Sequence, residues 1–167
     1  MCFCFGIGTG GGILVGNELG AGNLSDAKRD GARMCKIAIV SGVITGALVL
    51  AISPLVIKCS GQLSETARSY LQLMFFVCTY YLVGQSINST TIAGIFCAGG
   101  DSKFGFICDT ITLWAVTVPL GCIAAFVLKL PVMVVYVLLN IDEIIKLPAV
   151  YRHYKKYAWV RDLTRTA

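Results

Sequence analysis

Three charged side chains stand together in an otherwise apolar stretch: Asp142, Glu143 and Lys146, inside LPVMVVYVLLNIDEIIKLPAV from Leu130 to Val150. On a helix opening at Pro131, Asp142 falls about 17 Å along the axis. That is close to the middle of a hydrocarbon layer about 30 Å thick. Acids at such a depth are candidates for ion coupling, as proton relays or cation sites. A local reading stands beside this one. Lys146 is four residues from Asp142 and three from Glu143, which is pairing distance on one helix face. A helix seated lower would also bring both acids to the interface.

A second group of reactive side chains is polar but uncharged. Between Ser69 and Gly100 there is no charge, yet the middle holds Tyr81, Gln85, Ser86, Asn88, Ser89, Thr90 and Thr91. Such groups are costly against lipid, so they must face protein or a water-filled space. Tyr81, Gln85, Asn88 and Ser89 are the candidates for a substrate-facing wall. Hydrogen bonding between helices is the alternative.

Other chemistries lack their parts. Nothing pairs a nucleophile with a base, so no enzyme is expected. Gly6-Ile7-Gly8-Thr9-Gly10-Gly11 satisfies the dinucleotide spacing, but no strand can precede residue 6 and the flanks are apolar. The eight cysteines stand mostly singly in apolar runs, unlike a disulfide framework or a zinc site, and read as small packing residues. The one histidine, His153, stands in a basic segment, and no metal site is expected. The net charge of +5 is unevenly spread, so nucleic acid is not an expected partner.

The elements that must position these groups are read from the apolar runs. Of 167 residues, 56% are hydrophobic and 14% charged, with a mean hydropathy of +0.77. Soluble domains carry about 25% charged residues. The expected fold is an all-α membrane protein with five transmembrane helices at about residues 1–16, 34–57, 70–98, 104–128 and 131–150, followed by a basic tail, 151–167. The first span is short, about 26 Å from Met1 to Asn17, and suggests a missing beginning. Gly8, Gly12, Gly16 and Gly20 share one of its faces, and Gly42 and Gly46 form a second small-residue face. Both suit close helix packing in lipid. Val15–Asp30 reads as a polar loop, with Asn23 or Ser25 capping the next helix. Eleven of the fourteen Lys and Arg fall on the side of the first loop, the third loop and the tail; Lys58, Arg68 and Lys129 fall on the other. The expected location is the cell membrane, multi-pass, with a cytoplasmic C-terminus.

Two patches carry a family resemblance. GNELGAGNLSDAK, from Gly16, resembles the loop after the second helix of each half in multidrug and toxic compound extrusion (MATE) transporters, bacterial type. Gly94-Ile-Phe-Cys-Ala-Gly-Gly-Asp-Ser-Lys103 resembles that family's glycine-rich turn two helices later. The matching motif residues are Gly16, Asn17, Glu18, Gly20, Gly22, Gly99, Gly100 and Asp101. The resemblance implies the C-terminal portion, helices eight to twelve, and hence most of one six-helix bundle. It also implies a secondary antiporter that exchanges small amphipathic or cationic substrates for Na+ or H+ by alternating access. No cofactor is implied, and the coupling ion stays open. The sequence departs from the family at Cys97, where Arg is common, and at Gln85–Ser89, where Na+-coupled members have an acid. The implied partners are the lipid bilayer, the substrates and the missing N-terminal half of the transporter, without which the chain is expected to be inactive. The alternative is a non-transporting membrane scaffold or a truncated or decayed gene product.

Overall fold

The computed structural model describes residues 2–59, 61 and 64–160, and every regular element among them is helical. Helix α1 is Cys2–Gly20 and α2 is Leu24–Cys59; α3, Glu65–Asn88, runs on through a π-helical turn, Ser89–Phe96. Next come α4, Ser102–Ile111, α5, Val118–Cys122, and the π-helical stretches Thr112–Thr117 and Ile123–Val127, which together make one rod from Ser102 to Val127. Helices α6, Val132–Leu139, and α7, Asp142–Lys155, are the last among the described residues. The Gly6–Gly11 motif lies inside α1, with no strand among the described residues to support a nucleotide loop.

The apolar surface points outward. Leu24–Cys59 and Ser102–Val127 are long and apolar enough to cross a membrane, with mean hydropathies of 2.3 and 1.9, yet only 22% of each apolar window is buried inside the molecule. Ile39, Val43, Leu48, Phe106, Trp114 and Phe126 are all exposed. Large exposed apolar area on α-helices is stable against hydrocarbon, where each helix satisfies its own backbone. The chain is an all-α membrane protein.

Small residues let the helices meet. A methyl added to Gly12 would come within 3.0 Å of the Gly94 carbonyl oxygen, so α1 and the π turn after α3 touch backbone to backbone. A methyl on Gly42 would stand 3.0 Å from Val83 Cα, and one on Gly46 2.8 Å from Thr79 Cγ2, which sets α2 along α3. Hydroxyls finish this contact: Ser86 Oγ donates to the Ala38 carbonyl at 2.8 Å and lies 3.0 Å from Ser41 Oγ. Thr91 Oγ1 donates to the Ile87 carbonyl at 2.8 Å. Such back-bonding accompanies the widened turn.

Several expected boundaries shift. The Val15–Asp30 segment is helical except for the turn Ala21–Asn23, where Gly22 takes φ +78°, a region open to glycine. Its charges pair along α2 instead, Arg29 with Asp26 at 2.9 Å and Arg33 with Asp30 at 3.0 Å. The expected helix 131–150 is two helices. Asn140 leaves helical geometry at φ −96°, ψ 5°, while its Nδ2 donates to the Tyr136 carbonyl at 2.7 Å. An Asn side chain that satisfies a nearby carbonyl competes with the helix and ends it.

The expected tail is partly built into the bundle. Helix α7 continues to Lys155, with Arg152, His153 and Lys155 in its last turn, where cations suit the helix dipole. Trp159 is fully buried with Val15, Leu19, Ala27, Ile95, Phe96 and Val150, in a core at one end of the bundle. It stacks on Tyr154 at 5.6 Å and packs against Gly31 of α2 and Gly99 of the α3–α4 turn. Burial pushes the Tyr154 phenol well above its ordinary value. Arg161 and Arg165 of the expected tail lie outside the described residues.

Candidate functional site

The break at Asn140 starts α7 with Asp142 and Glu143 in its first turn. Free backbone N–H groups and the helix dipole favour carboxylates there. Three helices then converge. Gly84 of α3 admits α7, since a methyl at Gly84 would stand 3.0 Å from Glu143 Cβ. One turn further along α3, Asn88 Nδ2 donates to the Glu143 carbonyl at 2.9 Å and to Glu143 Oε2 at 2.6 Å. Asp109 comes in from α4.

Lys146 ties the group together. Its Nζ lies 3.1 Å from Glu143 Oε1, 3.2 Å from Asp109 Oδ1 and 3.4 Å from Asp142 Oδ2. Glu143 is 4% exposed, Lys146 8% and Asn88 3%. Ions this buried stand only when paired and hydrogen-bonded. With all groups ionised, three carboxylates face one ammonium, an excess of two negative charges.

Beside the cluster is a cavity of about 110 Å³, lined by Gln85, Asn88, Ser89, Asp109, Glu143 and Lys146 on its polar side and by Phe5, Ile92 and Ala93 on the other. Asn88 Oδ1, a buried acceptor, has no hydrogen-bond partner. A larger apolar cleft of about 320 Å³, between α2, α3 and α7, is lined by Ile39, Ile87, Leu147 and Tyr151 among others and holds no charged side chain.

Five of the sequence-derived candidates therefore meet in one place. Gln85, Asn88 and Ser89 line the same cavity as Glu143, and Asp142 joins through Lys146. Tyr81 does not line it. The motif residues Gly16, Asn17, Glu18 and Gly20 form the end of α1, and Gly22 the turn after it. Gly99, Gly100 and Asp101 form the α3–α4 turn, with Gly100 at φ +74° and Asp101 Oδ2 2.5 Å from His153 Nε2. None of these motif residues lines the cavity.

Asp109 and Gly84 are the members that sequence reasoning missed. Asp109 carried a readable signal, as the one charge between Phe104 and Leu128. Gly84 carried none, because a single glycine in a helix announces no partner.

Comparison with known proteins gives a consistent result. The family model described as MatE matches residues 1–123. Multidrug and toxin extrusion protein 1 of Pongo abelii is 32% identical over 126 residues, covering 72% of this chain and 21% of that protein. The proteins of the same name from Oryctolagus cuniculus and Homo sapiens are each 31% identical, over 122 and 126 residues, with the same coverage. The chain thus spans about a fifth of the length of the curated relatives it matches. No solved structure matches it. Asp142, Glu143 and Lys146 lie beyond the stretch matched by the family model.

Proposed function

The chain belongs to the MATE family, and from that premise we propose that it forms part of a secondary active antiporter that expels amphipathic or cationic compounds in exchange for Na+ or H+. The observation that carries the reading is the cluster at the start of a half-helix in which Asn88, Glu143 and Lys146 are buried and a half-exposed Asp109 joins Lys146. Broken helices and intramembrane charges beside a cavity are how transporters of this kind hold coupling ions.

Alternating access needs two bodies moving about one site. The chain spans a fifth of its relatives' length, and α1 and α2 expose Phe3, Ile13, Val40 and Ile44. Both facts support a working unit in which this bundle packs against a second one. The excess of Lys and Arg on one side supports a cell-membrane location with the C-terminus in the cytoplasm.

A second reading, a membrane scaffold that moves nothing, draws on the local pairing of Lys146 with Asp142 and Glu143 within α7. Efflux of a fluorescent cation separates the two. Cells making this chain with a matching first bundle are expected to expel the dye under an ion gradient, and the Glu143→Gln variant to lose that expulsion while still reaching the membrane. Equal efflux with and without the chain would overturn the antiporter reading.

A further inference from the structure

We propose that the apolar cleft between α2, α3 and α7 holds an acyl chain of an anionic phospholipid, whose phosphate is taken by Lys28 and Lys155 at the mouth. The inference needs the chain to sit in a bilayer but not to transport, so it stands apart from the antiporter reading.

The cleft is built from one face of each flanking helix. Leu147, Val150, Tyr151 and Tyr154 of α7 line it, and their spacing of three and four residues makes one stripe about 10 Å long. Cys35 and Ile39 of α2, one turn apart, form the facing wall. On the α3 floor the Thr91 hydroxyl is already committed to the Ile87 carbonyl at 2.8 Å. With no charged side chain inside, the cleft suits hydrocarbon, and its volume of about 320 Å³ falls within the range of small-ligand sites, about 300–1,000 Å³. Ile39 and Tyr151 are exposed, so the cleft opens on the outside of the bundle, where lipid lies.

One end of the cleft is charged. Lys28 stands two turns before Cys35 on the same face of α2, and Lys155 one turn beyond Tyr151 on α7. Gly31 meets Tyr154 and Trp159, which brings the start of α2 and the end of α7 together, so both lysines stand at one mouth. Lys28 Nζ lies 4.9 Å from the centre of the Tyr157 ring, and Lys155 Nζ 4.7 Å from that of Tyr151. Cation–π contacts of this kind direct two otherwise flexible side chains. Both lysines are exposed. Among the described residues neither pairs with a carboxylate, whereas Arg29 and Arg33 are taken by Asp26 and Asp30. Tyr151, Tyr154, Tyr157 and Trp159 gather around the mouth, and such amphipathic rings sit at headgroup level in a membrane. A phosphate there gives two ammonium groups a counter-ion while its chain covers exposed apolar wall. A headgroup of net negative charge does this better than a zwitterionic one, whose own cation competes.

The test follows thermal unfolding of the full chain in detergent with added lipid of one chain length. Phosphatidylglycerol is expected to raise the melting temperature saturably, by about 3 °C or more. Phosphatidylcholine should give less than half of that shift, and glycerol 3-phosphate, the headgroup alone, none. Lys28→Gln/Lys155→Gln changes only exposed side chains, so the fold is kept, and the phosphatidylglycerol shift should fall to the phosphatidylcholine value. Lys36→Gln/Lys103→Gln removes the same charge away from the cleft, since Lys36 lines a groove against α1 and Lys103 belongs to α4; it should keep the full shift. Ile39→Trp, which fills the cleft, should lose the response to both lipids. No shift with phosphatidylglycerol, or an equal shift with glycerol 3-phosphate, would overturn the proposal. So would an equal loss in both lysine doubles, which means bulk attraction to a basic face, or an undiminished response in Ile39→Trp. A response that vanishes when the chain is made with a matching first bundle would also overturn it, because another helix then covers the cleft. Efflux enters none of these readouts, so the antiporter reading stands or falls separately.

Discussion

Asn88 and Glu143, 55 positions apart, are joined twice by one amide: Asn88 Nδ2 reaches both the backbone carbonyl and the carboxylate of Glu143, at 2.9 and 2.6 Å. The bond fixes where α7 begins relative to α3, and it holds the carboxylate at the edge of the cavity. The polar residues of α3 and the acids of α7, separate in sequence, meet in one structure.

Asn88→Leu removes that donor and leaves a buried carboxylate with Lys146 as its main partner. Hydrogen bonds to charged groups contribute about 1.5–3 kcal/mol. Unfolding in detergent should show a loss of that size, and Asn88→Asp, which sets two acids face to face, should lose more. A neutral result for Asn88→Leu would mean the amide holds nothing.

Lys146→Met breaks a pair whose side chains are 9% and 6% exposed. Stranding a buried charge costs about 3–5 kcal/mol. Neutralising Glu143 as well, in Lys146→Met/Glu143→Gln, should recover most of the stability but not ion-driven efflux. If the double variant transports normally, the cluster is structural only.

Gly84→Val places a branched side chain where α7 now lies, with Glu143 Cβ only 3.0 Å from the first added carbon. Overpacking of this kind costs about 1–3 kcal/mol. Efflux should fall together with the melting temperature, whereas Gly10→Ala, which meets nothing within 4 Å, should change neither.

Cysteine labelling distinguishes cavity from contact. In a background with the eight native cysteines replaced, Gln85→Cys should react with a water-soluble thiol reagent. Asn88→Cys, at a position 3% exposed, should react far more slowly. Equal fast labelling at both would place Asn88 in open water rather than on Glu143.

Trp159→Ala empties a fully buried site between α2, α7 and the α3–α4 turn. Aromatic-to-alanine changes in a core cost about 3–5 kcal/mol. Limited proteolysis should then cut near Tyr157, where the wild type resists; equal resistance would show that Trp159 does not hold this end in place.

Membrane class, helical content and the place of the two motif turns were legible in the sequence because each depends on a local run. An unbroken apolar stretch selects a spanning helix wherever it stands, and Gly22 and Gly100 turn the chain through their own φ values. The break at Asn140 was not legible, since an Asn within an apolar helix ends it only when its amide takes the Tyr136 carbonyl. The cluster itself was half legible. An acid inside an apolar run marks a candidate, and Asp142 and Glu143 stood out for that reason. Which groups meet depended on how the helices are rotated about their axes, and that rotation is set by close contacts at Gly84, Gly42 and Gly12. Asp109 and Lys146 are 37 positions apart, and Asn88 and Glu143 are 55. No periodicity along the chain encodes a contact between helices; it exists only once small residues let three backbones close around the same few charges.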